Sequence, residues 1–111
     1  MLRDDFLMRL ITRIGDLIAR AIRLAKQGKH DEATRSIEDA YKNELGMPRA
    51  MLDRLDAATA ARTLGGEKSV VLAALLDAEA QLAQLAGDDA CALERRQRAN
   101  ALRVAAGLPV P

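Results

Sequence analysis

The feature that most limits the fold of this chain is an internal repeat. Residues 17–41 and 76–100 align without a gap, at an offset of 59 residues. Both copies carry small residues at equivalent positions, namely Ala21, Gly28, Ala33 and Ala40 in the first copy and Ala80, Gly87, Ala92 and Ala99 in the second. Small residues at these spacings let two helices approach closely, and the glycine permits a tight turn between them. The repeat therefore predicts two antiparallel helical hairpins.

The composition agrees with a helical fold. Half of the 111 residues are apolar, most of them alanine and leucine, and the aromatic residues are Phe6 and Tyr41 only. Alanine and leucine are strong helix formers, whereas strands are rich in β-branched and aromatic residues. We therefore predict an all-α protein in which residues 1–111 form a single domain, since a chain of this length can bury a core of its own.

Apolar residues recur at helical spacing in four segments, which are residues 2–26, 30–45, 68–86 and 89–106. A glycine closely follows each segment, as is common at the C-terminus of a helix. This pattern predicts a long N-terminal helix and the following organisation: hairpin one at 2–46, an insert at 47–66, hairpin two at 67–107 and a tail at 108–111.

The insert contains its own helix signals. Pro48 suits the first turn of a helix, and Asp56 is a good capping residue for a new helix start. The insert is therefore either two short helices or one kinked helix. Gly65-Gly66 is predicted to end it and to separate the two hairpins.

The turn sequences resemble the tetratricopeptide repeat, a helix–turn–helix unit of about 34 residues. The segment GKHDEA at 28–33, and to a lesser degree GDDACAL at 87–93, is similar to the turn signature of that repeat. The order of a long first helix, a hairpin, a leucine-rich insert and a second hairpin is also similar to a small bacterial family of tetratricopeptide-like proteins. The resemblance implies helical hairpins that present a groove to a peptide or protein, and it implies no enzymatic activity.

Few residues are available for catalysis or for holding a cofactor. The chain has one histidine, His30, and one cysteine, Cys91, whereas a zinc site takes about four ligands. These two residues lie beside the turns of different hairpins. No phosphate-binding glycine loop is present, because Gly65-Gly66 lacks the Gly-Lys-Ser/Thr ending. We therefore predict no catalytic, cofactor-binding or metal-binding residue and a non-enzymatic protein.

Glu79 is the most informative charged residue. Its angular position on its helix falls among leucines, so the side chain is predicted to be partly buried, and a buried carboxylate needs a partner. Counting back from Gly87 places Arg95 or Arg96 opposite it. A structural ion pair is the favoured interpretation, while a carboxylate that recognises a ligand or peptide, or a catalytic acid, are alternatives.

The last helix is locally basic, with Arg95, Arg96, Arg98 and Arg103. A solvated face is the favoured interpretation, and an acidic protein partner or nucleic acid are the alternatives. The net charge is only +1, so the whole molecule does not attract nucleic acid or an anionic membrane. The predicted function is thus a protein-interaction or scaffold module, and the alternative is a small nucleic-acid-binding regulator that uses this helix.

The start of the first helix extends beyond the repeat and carries Leu2, Phe6, Leu7 and Leu10. Repeat stacks must cover the apolar faces of their end units, so we predict that these residues pack in a two-fold homodimer. The alternative is that the insert folds over them in a monomer. Charges interrupt the N-terminal apolar residues, and the longest apolar run, 70–76, is far shorter than a membrane span. A cytoplasmic protein without a membrane partner is therefore expected.

Overall fold

The computed structural model describes the backbone of residues 2–111 and the side chains of residues 5–111. It confirms the all-α prediction, because the described residues form helices joined by short turns and contain no strand. The elements in chain order are α1 (Leu2–Lys26), α2 (His30–Ala40), a π-helical segment (Tyr41–Leu45), α3 (Arg49–Asp53), α4 (Ala57–Leu85) and α5 (Asp89–Ala106).

The insert begins a new helix at Asp56 and ends at Gly65, as predicted. The side chain of Asp56 accepts a hydrogen bond from the backbone N–H of Thr59 at 2.7 Å. The helix that it caps is the first part of α4, which is interrupted at Gly65, where φ is 80° and ψ is 176°, outside the helical region. Two helical stretches meet at this kink, so the predicted break at Gly65-Gly66 is confirmed.

The turns of the two repeat copies have the same hydrogen-bonding geometry. In the first, the N–H of Lys29 donates to the carbonyl of Leu24 at 2.9 Å. In the second, the N–H of Asp88 donates to the carbonyl of Ala83 at 2.8 Å. Gly28 and Gly87 each adopt a φ of 81°, in the left-handed region where a glycine carries no steric penalty. The repeat seen in the sequence thus corresponds to a repeated local structure.

Side-chain contacts show that each pair of helices runs antiparallel. Arg13 on α1 donates to Glu44 at 2.6 Å, and the two residues lie about equally far from the turn at Gly28. On the other hairpin, Arg103 of α5 contacts Asp77 of α4. The six alanines of the repeat are all buried, and they are Ala21, Ala33, Ala40, Ala80, Ala92 and Ala99. Their small side chains therefore lie where helices pack together, as the spacing predicts.

Helix α4 is the centre of the molecule. It contacts α1, α2, the π-helical segment and α5. Its buried residues, which include Leu72, Leu75 and Leu76, form the middle of a core that is shared by both hairpins. In the described part of the chain, every helix is too short or too polar to span a bilayer.

Candidate functional site

The candidate site is built around Glu79, in the second half of α4. Its side chain is only 12 % exposed, in agreement with the position predicted from helical periodicity. Three donors surround the carboxylate. The Tyr41 hydroxyl and Arg95 Nη1 donate to Oε1, the latter at 3.4 Å, and Arg49 Nε donates to Oε2. The cost of removing this carboxylate from water is offset by hydrogen bonds from two guanidinium groups and a hydroxyl.

The predicted pairing of Glu79 with Arg95 or Arg96 is confirmed for Arg95 and wrong for Arg96. Arg95 is 7 % exposed and faces α4. Arg96 lies about 100° further around α5, where its exposed side chain donates to Gln84. The choice between two consecutive residues depends on the rotation of α5 about its own axis, which the sequence pattern leaves open.

The contacts of Glu79 with Tyr41, Arg49 and Arg95 form a charge network, and Arg95 extends this network to α3 and along α5. Its Nη1 donates to Asp53 at 3.0 Å, and its Nε donates to Glu94 at 2.6 Å. Arg49 also lies 3.7 Å from Asp53. The network therefore ties α3, α4 and α5 together with the tyrosine that follows α2.

A second arginine of α5 fixes the end of α3. Arg98 Nη2 donates to the backbone carbonyls of Leu52 and Leu55, at 2.6 and 2.8 Å. These carbonyls belong to the last turn of α3 and the connection that follows it, where helical partners are missing. Arg98 thereby holds the insert against α5 as a structural residue.

Burial and the neighbouring charges change the pKa values of the network. Burial, followed by the Glu79 carboxylate, raises the pKa of Tyr41 well above its ordinary value, so this hydroxyl stays protonated. Burial alone would lower the pKa of Arg49, but Glu79 and Asp53 outweigh it and the pKa is raised. The pKa of Arg95 is raised in the same way, with Glu94, Asp53 and Glu79 outweighing burial. Both guanidinium groups are therefore held in the charged form.

A cleft of about 240 Å³ lies beside this network, between the two hairpins. Its apolar lining consists of Ile37, Leu82, Ala83 and Ala86. Its charged lining consists of Glu38, Glu79 and Asp88 on the acidic side and Arg49 on the basic side. Because Arg49 pairs with Glu79, the charges left for a ligand are the exposed carboxylates of Glu38 and Asp88.

His30 and Cys91 also line the cleft, although they belong to different hairpins. The sequence places them beside separate turns, and the structure brings both turns to the same end of the molecule. Both side chains are half-buried. In the part of the chain that the structure describes, no group of three or more His, Cys, Asp or Glu residues is placed to hold a metal ion.

The residues proposed for a dimer at the start of α1 lie in different surroundings. The side chain of Leu2 is outside the described residues. Phe6 is 58 % exposed, Leu7 is half-buried and Leu10 is buried in the core of its own chain. The assignment of Leu10 to a dimer surface is therefore wrong, since the chain itself covers it.

The arginines of α5 are largely used within the chain. Arg95 and Arg98 are engaged as described above, and Arg103 pairs with Asp77. Arg96 is the exposed member, and it contacts Gln84. The basic run in the sequence thus forms internal ion pairs and leaves little free positive charge on the surface.

Sequence reasoning missed Tyr41, Arg49 and Asp53 as members of the site. The ring of Tyr41 is buried beside Ala40 and Ile37, whose helical spacing it continues. Nothing in the local sequence indicates a partner for its hydroxyl. Arg49 and Asp53 sit four residues apart on α3, a spacing that places them on one face. This spacing was a usable signal, although it does not identify Glu79 as their neighbour.

Comparison with protein-family models finds no matching family, and searches of curated proteins and of solved structures find no match.

Proposed function

We propose that this protein is a non-enzymatic, cytoplasmic interaction module of the tetratricopeptide-like kind, which binds a segment of a partner protein in the cleft between the two hairpins. The observation that carries the proposal is the cleft itself, where residues from α2, α3, α4 and α5 converge on an apolar surface beside a buried charge network. The network fixes the positions of the walls, which lowers the ordering cost of binding.

The size of the cleft favours a protein segment over a small molecule. Pockets that enclose drug-sized ligands measure about 300–1,000 Å³, and this cleft is smaller, at about 240 Å³. It suits one large apolar side chain of a partner, which would contact Ile37 and Leu82 while the rest of the partner stays on the surface.

The charge at the rim of the cleft determines which type of partner residue would lie beside the apolar side chain. Glu38 is exposed and makes no ion pair within the described residues. Asp88 accepts a hydrogen bond from the N–H of Cys91 at 3.1 Å through one oxygen, and its other oxygen is available. A lysine or arginine beside the apolar side chain would therefore be attracted to the rim. The proposed ligand is a segment in which a large apolar residue is next to a basic residue.

Selection from a displayed random-peptide library tests this function. We expect enrichment of peptides with an apolar residue next to a basic one. Ala83→Arg, which fills the cleft, and Glu38→Lys, which reverses the rim charge, should each weaken the selected peptides at least tenfold, or about 1.4 kcal/mol. The control Ala101→Arg changes an exposed residue of α5 and should leave binding unchanged. Peptides that bind both cleft variants as tightly as the wild type would contradict the proposal.

The alternative of a nucleic-acid-binding regulator has less support. It needs a set of arginines that are free to contact phosphates, and Arg95, Arg98 and Arg103 are engaged within the chain. Titration of random-sequence DNA at increasing salt tests it directly, because phosphate contacts produce a steep loss of affinity with salt.

A further inference from the structure

The start of α1 extends beyond the rest of the first hairpin. Arg13 donates to Glu44 at 2.6 Å, next to Leu45, where the π-helical segment ends. Phe6 lies seven residues before Arg13, about 10.5 Å further along the helix axis. It is the only phenylalanine of the chain, and its side chain is 58 % exposed. Because aromatic side chains are enriched in the buried centres of protein interfaces, Phe6 is suited to a contact with another molecule.

The charges on the same side of the helix as Phe6 are basic. At about 100° per residue, Arg9 and Arg13 lie within about 60° of Phe6, whereas the neighbouring carboxylate of Asp5 lies about 100° away. Both arginines are exposed. Arg13 pairs with Glu44, but Arg9 makes no ion pair within the described residues. Phe6 and Arg9 therefore combine a large apolar side chain with a free cation, and we call these two residues the N-terminal anchor.

The cleft between the hairpins is complementary to the N-terminal anchor. Its apolar lining, which includes Ile37 and Leu82, accepts one large apolar side chain, and its rim carries the exposed carboxylates of Glu38 and Asp88. A phenyl ring in the cleft would remove apolar surface of both partners from water. Arg9 would then bring a positive charge to the acidic rim. One surface of the chain thus carries the chemistry that another surface would recognise.

The anchor cannot enter the cleft of its own chain. About 33 Å of helix and turn separates Phe6 from Gly28, and the longest dimension of the molecule is 40 Å. The cleft lies beside the turns at Gly28 and Gly87, because His30 and Asp88 line it. Since α1 is one continuous helix from Leu2 to Lys26, Phe6 would reach this cleft only if α1 unfolded. A cleft that receives the anchor must therefore belong to another copy.

We propose that Phe6 of one copy of this chain occupies the cleft of a second copy, with Arg9 at the acidic rim. This self-association depends on the proposed function, since the second copy takes the place of the partner segment. The contact joins two different surfaces, so a pair keeps one free anchor and one free cleft. It can therefore repeat head to tail until a ring closes. This arrangement differs from the two-fold dimer predicted from the sequence, in which one surface meets itself.

Met8 provides a matched control for Phe6. It is 62 % exposed, and it lies about 160° around α1 from Phe6. Phe6→Asp and Met8→Asp each remove an exposed apolar side chain and add the same charge, but on opposite sides of one helix. Only Phe6→Asp should abolish the association.

Sedimentation equilibrium over a range of protein concentrations measures the association. The mass of the wild type should rise above the monomer mass of 12.0 kDa with concentration, and Met8→Asp should behave in the same way. Phe6→Asp, and Ala83→Arg, which fills the cleft, should each remain at the monomer mass with an unchanged helical circular dichroism spectrum. Because Phe6→Asp keeps its cleft and Ala83→Arg keeps its anchor, an equimolar mixture should form a pair of twice the monomer mass that grows no further.

Charge reversal tests the position of Arg9. Arg9→Glu places a carboxylate against the acidic rim and should weaken the association about tenfold. Glu38→Lys should weaken it in the same way, because it brings two cations together. The double variant Arg9→Glu/Glu38→Lys should recover the association, since opposite charges again face each other.

A wild type that keeps the monomer mass at every concentration would overturn the proposal, even if displayed peptides bind the cleft. An association that survives Phe6→Asp or Ala83→Arg would also overturn it, because other surfaces must then be in contact. A mixture of these two variants that stays monomeric would show that the anchor and the cleft do not meet. If the mixture forms the pair but no displayed peptide is selected, the function proposed above fails and the self-association stands.

Discussion

The Tyr41 hydroxyl donates a hydrogen bond to Oε1 of Glu79, and this contact joins the end of the first hairpin to the second half of α4. The two residues are 38 positions apart in the chain. Both side chains are removed from water, so loss of this hydrogen bond would leave buried polar groups without a partner, at a cost in free energy. The contact should therefore affect both the pH dependence and the size of the free energy of unfolding.

We predict that Tyr41 makes the protein sensitive to alkali. Burial, then the Glu79 carboxylate, raises the pKa of this tyrosine above its ordinary value of 10.0. Above about pH 10 the unfolded chain therefore loses a proton that the folded chain keeps, and the free energy of unfolding falls by about 1.4 kcal/mol per pH unit. Below pH 10 both states are protonated, and this contribution is constant.

Denaturant unfolding between pH 9 and 12 measures this effect, and Tyr41→Phe is the control that should have a shallower slope. The chain has one tyrosine and no tryptophan, so tyrosinate absorbance reports on this residue alone. Ionisation of Tyr41 near pH 10 while the helical circular dichroism persists would show that the hydroxyl is not protected.

The second prediction concerns Glu79. Glu79→Ala leaves Arg49 and the Tyr41 hydroxyl without their shared acceptor, while Arg95 keeps Asp53 and Glu94. We expect a loss of about 2–4 kcal/mol in the free energy of unfolding. Glu38→Ala removes an exposed carboxylate from the same cleft and should change stability by less than about 0.5 kcal/mol. Equal losses for the two variants, measured by urea unfolding, would argue against the buried network.

The fold and the site were predictable to different degrees. Helix positions follow from apolar periodicity and from glycines such as Gly28 and Gly87, because these signals are local. The burial of Glu79 was also readable from its angular position. Its contacts with Tyr41 and Arg49 were not, because they depend on how α3 lies across α4, which is set by tertiary packing. The break at Gly65 is readable from the glycine pair, but the direction in which the next helix continues is not, because it too depends on tertiary packing.

The third prediction concerns the start of α4. The Asp56 carboxylate accepts the backbone N–H of Thr59, and this hydrogen bond lowers the pKa of Asp56 below its ordinary value of 3.8. The cap therefore contributes fully above that pH and is lost as pH falls through the lowered pKa. Asp56→Ala should lower the thermal midpoint at neutral pH, whereas Asp56→Asn, which keeps a capping oxygen, should lower it less. If both variants melt like the wild type at neutral pH, the cap has no net effect on stability.

The fourth prediction concerns Ser69, which is fully buried in α4. Its hydroxyl has no hydrogen-bond partner among the described residues. An unsatisfied buried polar group carries a desolvation cost of about 1–3 kcal/mol, so Ser69→Ala should raise the free energy of unfolding by about 1 kcal/mol. The other serine of the chain, Ser36, is half-buried on α2, and Ser36→Ala is the matched control. A loss of stability in Ser69→Ala would indicate that the hydroxyl has a partner.

The central position of α4 determines how the protein opens. In many repeat proteins each unit contacts only its neighbours, so an end unit can unfold while the others persist. Here α4 contacts both hairpins, and detachment of either one would separate Glu79 from Tyr41 or Arg95 and leave buried polar groups without partners. Partial opening therefore has a high free-energy cost. We expect the slowest amide hydrogens of α2 and α5 to exchange with deuterium through one shared, cooperative unfolding event.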